Sequence, residues 1–247
     1  MARINPSSLF FLVLVISTSS CEVKSPTAQE VLDKAITRHG FDNEDDFEVE
    51  FDFRNNHFEA NLSALSYVLK RVSKDDNQVI EDVISGESLV HKVNNELVKL
   101  DSEKMWRTSS DTRSVVYFAL LPYSANDGAI SKHLMPSLKI KGEPYYKVEV
   151  TYKNNGGGED FENVFVYWIH KKHFTIDYLA YSYYVNGGGV RFREAINPRE
   201  INGIRFQDYI NYTIVKDFPA HELDYAFQNG QLKEISRIVL DDVVVNK

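Results

Sequence analysis

Four charged residues stand inside the aromatic segments of the C-terminal half: Asp177, Arg193, Glu194 and Asp208. Charges are expensive to bury unpaired, so in such surroundings they pair with one another or face a polar pocket. Two of the three carboxylates converging on an open cleft would make an acid/base pair, and a separation of roughly 5–9.5 Å would suit a glycosidic bond. Arg193 would then fix an anionic or sugar group. In the alternative reading, favoured here because these strands are also the strongest apolar ones, Arg193 neutralises Asp208 or Glu194 across a ladder. Other constellations are weaker. His170 and His173 bracket Lys171-Lys172, a spacing that suits a solvent-exposed basic turn better than a metal pair. Gly156–Gly158 and Gly187–Gly189 lead into no helix and lack the P-loop lysine, so they read as hairpin turns. Ser109, Ser110 and Ser182 lack the glycines of a nucleophile elbow. The tyrosines between Tyr178 and Tyr184 could stack a glycan, although aromatic strands usually form core. No catalytic residue, metal or cofactor is implied.

The elements that must position these residues are mainly strands. Residues 28–39 read as a helix, with Val31, Leu32, Ala35 and Ile36 on one stripe and Gly40 as its stop. Thr27 and Glu30 have the spacing of a capping box. From Phe47 the period becomes two: Phe47, Val49, Phe51 and Phe53 alternate with acids, as in a half-buried antiparallel strand. Further strands are expected over 63–72, 78–84, 88–93, 96–100, 145–153, 162–169, 174–185, 190–196, 204–216 and 231–245, separated by Gly- and Asn-rich turns. The segment 111–121 reads as a nearly fully buried helix, capped by Ser110 or Asp111 and ended by Pro122, and 220–227 as a helical turn. Strands 162–169 and 174–185 are apolar on both faces, so both faces must be covered. The expected fold is mainly β: one curved antiparallel sheet of about ten or eleven strands, an unclosed half-barrel with an N-terminal helix and a buried plug helix.

The N-terminus carries an address. Arg3, the apolar run Leu9–Ile16, the small residues Ser17–Ser20 and then Cys21 describe an export signal, and the apolar run is too short to span a bilayer. The only cysteine of the chain stands where a lipoprotein signal would place the lipid. Residues 1–20 are therefore read as signal peptide, 21–27 as a lipidated tether and 28–247 as a single domain. Its 43% hydrophobic content, with 14 Tyr and 15 Phe, is enough for a substantial core. With one cysteine, no disulfide forms within it. The net charge of −8, more negative once Arg3 is cleaved off, disfavours nucleic acid and anionic headgroups.

The segments 113–130, 140–152, 163–183 and 188–213 resemble an uncharacterised family of Bacteroidota lipoproteins. More remotely, the order of elements is similar to the lipoprotein-carrier (LolA/LolB-like) half-barrel. Its mark is a strand ending in an aromatic plus Ile-His-Lys-Lys, a returning strand, and a third after Asn-Gly-Ile at 202–204. The resemblance implies a non-enzymatic protein on the periplasmic or outer-membrane face that holds a lipid or acyl chain in a concave sheet. On this reading the lining is Trp106, Tyr117, Phe118, Trp168, Tyr181 and Tyr183. The competing class is a glycan binder or hydrolase using the polar residues of the late strands.

The anchor is testable by fractionation. One acyl chain holds a protein on a membrane only marginally, whereas two hold it stably. Cys21→Ser should shift the protein from the membrane to the soluble fraction; unchanged membrane association would refute lipidation at Cys21.

Overall fold

The structure is a computed structural model that describes residues 25–41, 46–63, 66–75, 77–126, 130–136, 139–152, 164–183, 187–215 and 218–247. Cys21, the leader and Gly156–Gly158 lie outside the described residues.

Helix α1 (Ala28–His39) forms as its sequence dictates. Thr27 Oγ1 accepts the Glu30 N–H at 3.2 Å, and the Glu30 carboxylate accepts the Thr27 N–H at 2.7 Å, completing the capping box. Val31, Leu32 and Ala35 are fully buried. Gly40 ends the helix at φ +89°, and a Cβ there would lie 1.9 Å from the Gly203 carbonyl oxygen. Only glycine lets the helix end meet that turn.

Fifteen strands follow: β1 (Phe47–Phe53), β2 (Asn56–Leu62), β3 (Tyr67–Asp75), β4 (Gln78–Ser85), β5 (Ser88–Val93), β6 (Glu96–Leu97), β7 (Ile130–Met135), β8 (Lys139–Ile140), β9 (Glu143–Tyr152), β10 (Val164–His170), β11 (Ile176–Tyr183), β12 (Gly189–Ile201), β13 (Ile204–Thr213), β14 (Lys233–Ile238) and β15 (Asp241–Asn246). All pairings are antiparallel. The first sheet runs β15-β1-β2-β3-β4-β5-β6, and the second runs β14-β13-β12-β11-β10-β9-β7 with β8 on β9. The expected mainly-β architecture, with unclosed antiparallel sheet and helices, is observed. Its finer division differs from the sequence reading. The segment expected as one strand over 231–245 turns a corner at Val239-Leu240, so β14 belongs to one sheet and β15 to the other. β2, β7 and β8 add strands that were not expected. The turn expected at 197–203 is shorter: β12 continues through Asn197-Pro198 as a bulge and turns only at Asn202-Gly203. Asn197 takes φ +48° there, and Pro198 has no N–H to give to the ladder.

Between edge strands β6 and β7 the chain forms α2 (Ser102–Ala119), whose second half packs among residues of both sheets. It begins nine residues before the expected start, because Asp101 rather than Ser110 caps it by accepting the Lys104 N–H at 2.9 Å. Nor is it nearly fully buried. Ser102–Arg107 are exposed, and the buried residues are Ser109, Thr112 and Val116. A polar first half, with Glu103 and Arg107 paired at 2.7 Å, breaks no helical rule but presents no apolar face, so apolar periodicity misses it. At the far end a 3₁₀ turn (Ala220–Glu222) runs into α3 (Leu223–Gln228), as the sequence indicated.

His39, in the last turn of α1, is 1% exposed, and its Nε2 accepts the Ile176 N–H at 3.2 Å. Burial, then the charges of Arg205 and Arg38, lower its pKa from 6.5 to about 3. The folded state refuses a proton that the unfolded chain takes up, so this contribution to stability is complete above pH 6.5 and is lost as pH falls towards 3. The unfolding free energy from urea titrations should decline through that window by on the order of several kcal/mol. His39→Gln should flatten the decline, and an equally steep one would refute the assignment.

Candidate functional site

The second sheet is buried on both faces, and alternation assigns its side chains. From β10, Phe165, Tyr167 and Ile169 join the inner cluster with α1 and α2, whereas Val166 and Trp168 join the outer one with Ala220 and Leu223. From β11, Leu179 and Tyr181 face inward; from β12, Ala195 does so. Arg193 lies between Leu179 and Asn211 in the ladder, two residues from Ala195 on the same side. Phe118 reaches down from α2 onto this face, with ring centroids 5.0 Å from Tyr181 and 6.2 Å from Phe165. Tyr117 Oη sits 2.7 Å from Tyr167 Oη, and Arg113 Nη2 donates to the Gly86 carbonyl at 2.6 Å. These contacts hold the second half of α2 over the inner face.

Arg193 is 7% exposed. Its guanidinium lies 3.9 Å from the Phe118 ring centroid and 5.1 Å from that of Tyr181. Nη2 donates to Tyr181 Oη at 2.9 Å, and Nε has no partner among the described residues. The expected pairing with Asp208 or Glu194 is absent. Asp208 binds Arg199 at 3.0 Å, and Glu194 pairs with Lys141 on the outer face and accepts from Tyr212 Oη at 3.3 Å. The reason is alternation: Glu194 follows Arg193 on the same strand and points the opposite way, while Asp208 faces Ile196 in the ladder rather than Arg193.

Arg193 lines a small cavity of about 80 Å³ between α2 and the corner where the sheets meet, with Phe118, Gln207, Tyr209, Phe53 and Leu240 in its wall. Gln207 is buried; its amide nitrogen donates to the Ile176 carbonyl at 2.8 Å, and its Oε1 is unpartnered. Burial pushes the Tyr209 phenol up, so it stays protonated. A larger cavity of about 570 Å³ lies on the opposite, outer face, walled by Glu149, Val164, Tyr183, Phe218, His221 and the backbone at Gly187–Gly189. Among the described residues its wall carries no lysine or arginine, so size alone does not make it the better candidate.

The residues singled out from sequence do not form one constellation. Phe118 alone of the expected lining reaches the inner cavity. Tyr117 and Tyr181 flank it, Tyr183 holds the Arg191 guanidinium 4.7 Å from its ring, Trp106 is 61% exposed on the free half of α2, and Trp168 is fully buried on the outer face. Asp177 accepts from Tyr145 Oη at 3.1 Å. Asp177, Glu194 and Asp208 share none of these hydrogen-bond partners, although Asp177 and Glu194 both act on the Tyr178 phenol and help push it up. His170 is buried rather than exposed: its Nδ1 accepts the N–H groups of Lys172 and His173 at 3.1 and 3.2 Å, fastening the hairpin turn. Gln207 and Tyr209 were missed, although their i, i+2 spacing in an alternating strand was the available signal.

Missed also was the ion pair of the outer face. Lys147 Nζ lies 2.8 Å from Asp224 Oδ2, which also accepts Trp168 Nε1–H at 3.0 Å. Both partners are buried, with side chains 8% and 1% exposed. Breaking such a pair strands a charge, so Asp224→Asn should cost about 3–5 kcal/mol in urea unfolding. Lys147→Met added to it should restore much of the loss; no recovery would show that packing, not charge, sets the effect.

With the fold and cavity in view, comparisons with known proteins place the chain. The structure is similar to a DUF1329 family protein from Desulfovibrio piger at TM-score 0.40 and 10% identity, covering 88% of this chain and 92% of that one. It is also similar to the Mycobacterium tuberculosis lipoprotein LppX at TM-score 0.28 and 12% identity, covering 64% of this chain and 90% of that one. Neither likeness carries an argument about function. No curated protein matches the chain. Residues 7–239 match the model of DUF6503, a family of unknown function, and the chain belongs to that family.

Proposed function

We propose that the protein is an exported, non-enzymatic lipoprotein of the kind found in Bacteroidota, anchored through Cys21 on a periplasmic or outer-membrane face. Its wrapped sheet holds an apolar ligand, a lipid or acyl chain, beneath α2. The observation that carries this reading is the way the inner face is covered. Helix α2 stands with its first half in solvent, and its second half rests on aromatic rings. Ligand pockets measure roughly 300 Å³ or more, and the cavity of about 80 Å³ falls short of that; on this reading it is the closed form of the site. Filling it requires α2 to lift, and a helix seated on few buried residues is the kind of element that opens locally. The separate engagement of Asp177, Glu194 and Asp208 supports a binding role over hydrolysis.

A neutral fluorescent probe, N-phenyl-1-naphthylamine, tests this on delipidated protein. Val116, 5% exposed under α2, helps hold the helix down. Val116→Ala removes two buried methyl groups' worth of contact, about 1.5 kcal/mol, and so raises the open fraction roughly tenfold. Probe affinity should strengthen by about the same factor. No saturable binding by either form, or binding that ignores the substitution, would reject a site under α2.

A further inference from the structure

Arg193 is a buried cation with no carboxylate partner among the described residues, and it forms part of a cavity wall. Every other deeply buried ion in the described residues is matched: Asp82 by Arg71 and His91, Asp224 by Lys147, Asp208 by Arg199. An unmatched buried charge is costly unless something supplies the counter-charge. The aromatic rings of Phe118 and Tyr181 stabilise the face of the guanidinium but leave its edge, at Nε, without an acceptor. That edge is the part of arginine that binds planar oxyanions in fork geometry.

We propose that Arg193 receives the anionic head of the ligand, and that the ligand is an acyl chain ending in a carboxylate. This rests on the reading that the space under α2 is a binding site. The wall favours a carboxylate over a phosphate ester, since Arg193 is its single cation and matches one negative charge but not two. The apolar wall residues Phe118, Phe53, Ile238 and Leu240 suit the methylenes next to that head. Gln207 Oε1 accepts from a water bridging to the carboxylate, which gives its orphaned oxygen a partner as well. The charge of Arg193 is then not a structural pair left incomplete but the specificity element of the site: it admits an acid and gives a neutral chain of equal length nothing in return for displacing water from the guanidinium.

The test compares laurate, 1-dodecanol and dodecyl phosphate as competitors of the neutral probe, on the full chain carrying Cys21→Ser so that no covalent lipid intervenes. Laurate should bind about tenfold to a hundredfold tighter than dodecanol, the range of a charge-assisted hydrogen bond. Arg193→Met should abolish that preference, so that laurate and dodecanol compete equally, and the thermal midpoint without ligand should not fall. Arg193→Lys, a point charge without the fork, should keep part of the preference. Laurate and dodecanol binding equally would overturn the inference while leaving the apolar site standing. Failure of all three to compete, with no saturable probe binding, would remove both. Dodecyl phosphate binding more tightly than laurate would overturn the carboxylate assignment. Loss of stability in Arg193→Met with the laurate preference intact would reduce Arg193 to a structural clamp.

Discussion

The corner at Val239-Leu240 is the constraint on which the architecture depends. The chain leaves one sheet as β14 and enters the other as β15, and no ladder hydrogen bond joins the two sheets across that point. What fixes the bend is Asp208 on the adjacent strand. Its Oδ1 accepts the Leu240 N–H at 3.1 Å and Arg199 Nη1 at 3.0 Å, its Oδ2 accepts Asn197 Nδ2 at 3.1 Å, and Arg199 Nη2 closes the ring on the Leu240 carbonyl at 2.6 Å. A single buried carboxylate thus satisfies the backbone of a bend that would otherwise present unpaired groups to the core. The bulge at Asn197-Pro198 belongs to the same device, because it brings Asn197 and Arg199 of one strand to one acid. With the corner set, the order of strands reads as a continuous wrap with edges at β6 and β7, and α2 is the segment that links those edges. The corner also supplies Leu240 and the end of β14 to the cavity wall, so the joint between the sheets and the candidate site are the same place.

A sheet covered on both faces divides its polar residues by alternation. On the outer face of the second sheet, charges are matched: Lys147 with Asp224, Lys141 with Glu194. Phenols there are pushed up by burial and by neighbouring carboxylates, Tyr212 to about 12, so they act as hydrogen-bond donors and not as acids. The inner face has aromatic rings, amides and Arg193, but the acids that could balance the arginine point elsewhere. Helix α1 is bound firmly to this face through its capped first turn, its fully buried stripe and the glycine contact at Gly40. Helix α2 is bound by its second half. Both helices contribute to the core, α1 along its whole buried stripe and α2 through Val116 and its neighbours, while the first half of α2 stands in solvent.

Local rules were legible where the determinants are local. The capping box of Thr27 and Glu30, the stop at Gly40, the alternation of Phe47 to Phe53 and the double-sided burial of β10 and β11 each follow from residues within a few positions of one another, and each stands in the structure. The start of α2 was missed because an exposed helix needs only a cap and good helix formers, and neither leaves an apolar stripe. The surroundings of Arg193 were not legible, because partners across a ladder depend on register, which sets Arg193 opposite Asn211 and Asp208 opposite Ile196. The bulge brings Arg199 to Asp208 and so occupies the acid, while alternation along β12 leaves the inner arginine alone. Trp168 and Tyr181 were read as lining one surface; odd and even positions of paired strands placed them on opposite faces.

The corner therefore ties stability to the candidate site, because Leu240 belongs to both. Had β12 and β13 kept an unbroken ladder, Asp208 would face no corner and the bend would have lost its clamp. With the bulge, the carboxylate is committed to the joint, and the inner face keeps a positive charge held between aromatic rings. A charge so placed disfavours complete dehydration, which counts against a tightly sealed core at that point and in favour of a cover able to move. The exposed, self-paired first half of α2 meets that need, since it lets the helix persist without the sheet beneath it. In this fold, a bulge stabilises the corner and strand alternation equips the cavity, and the two act side by side because Leu240 belongs to both.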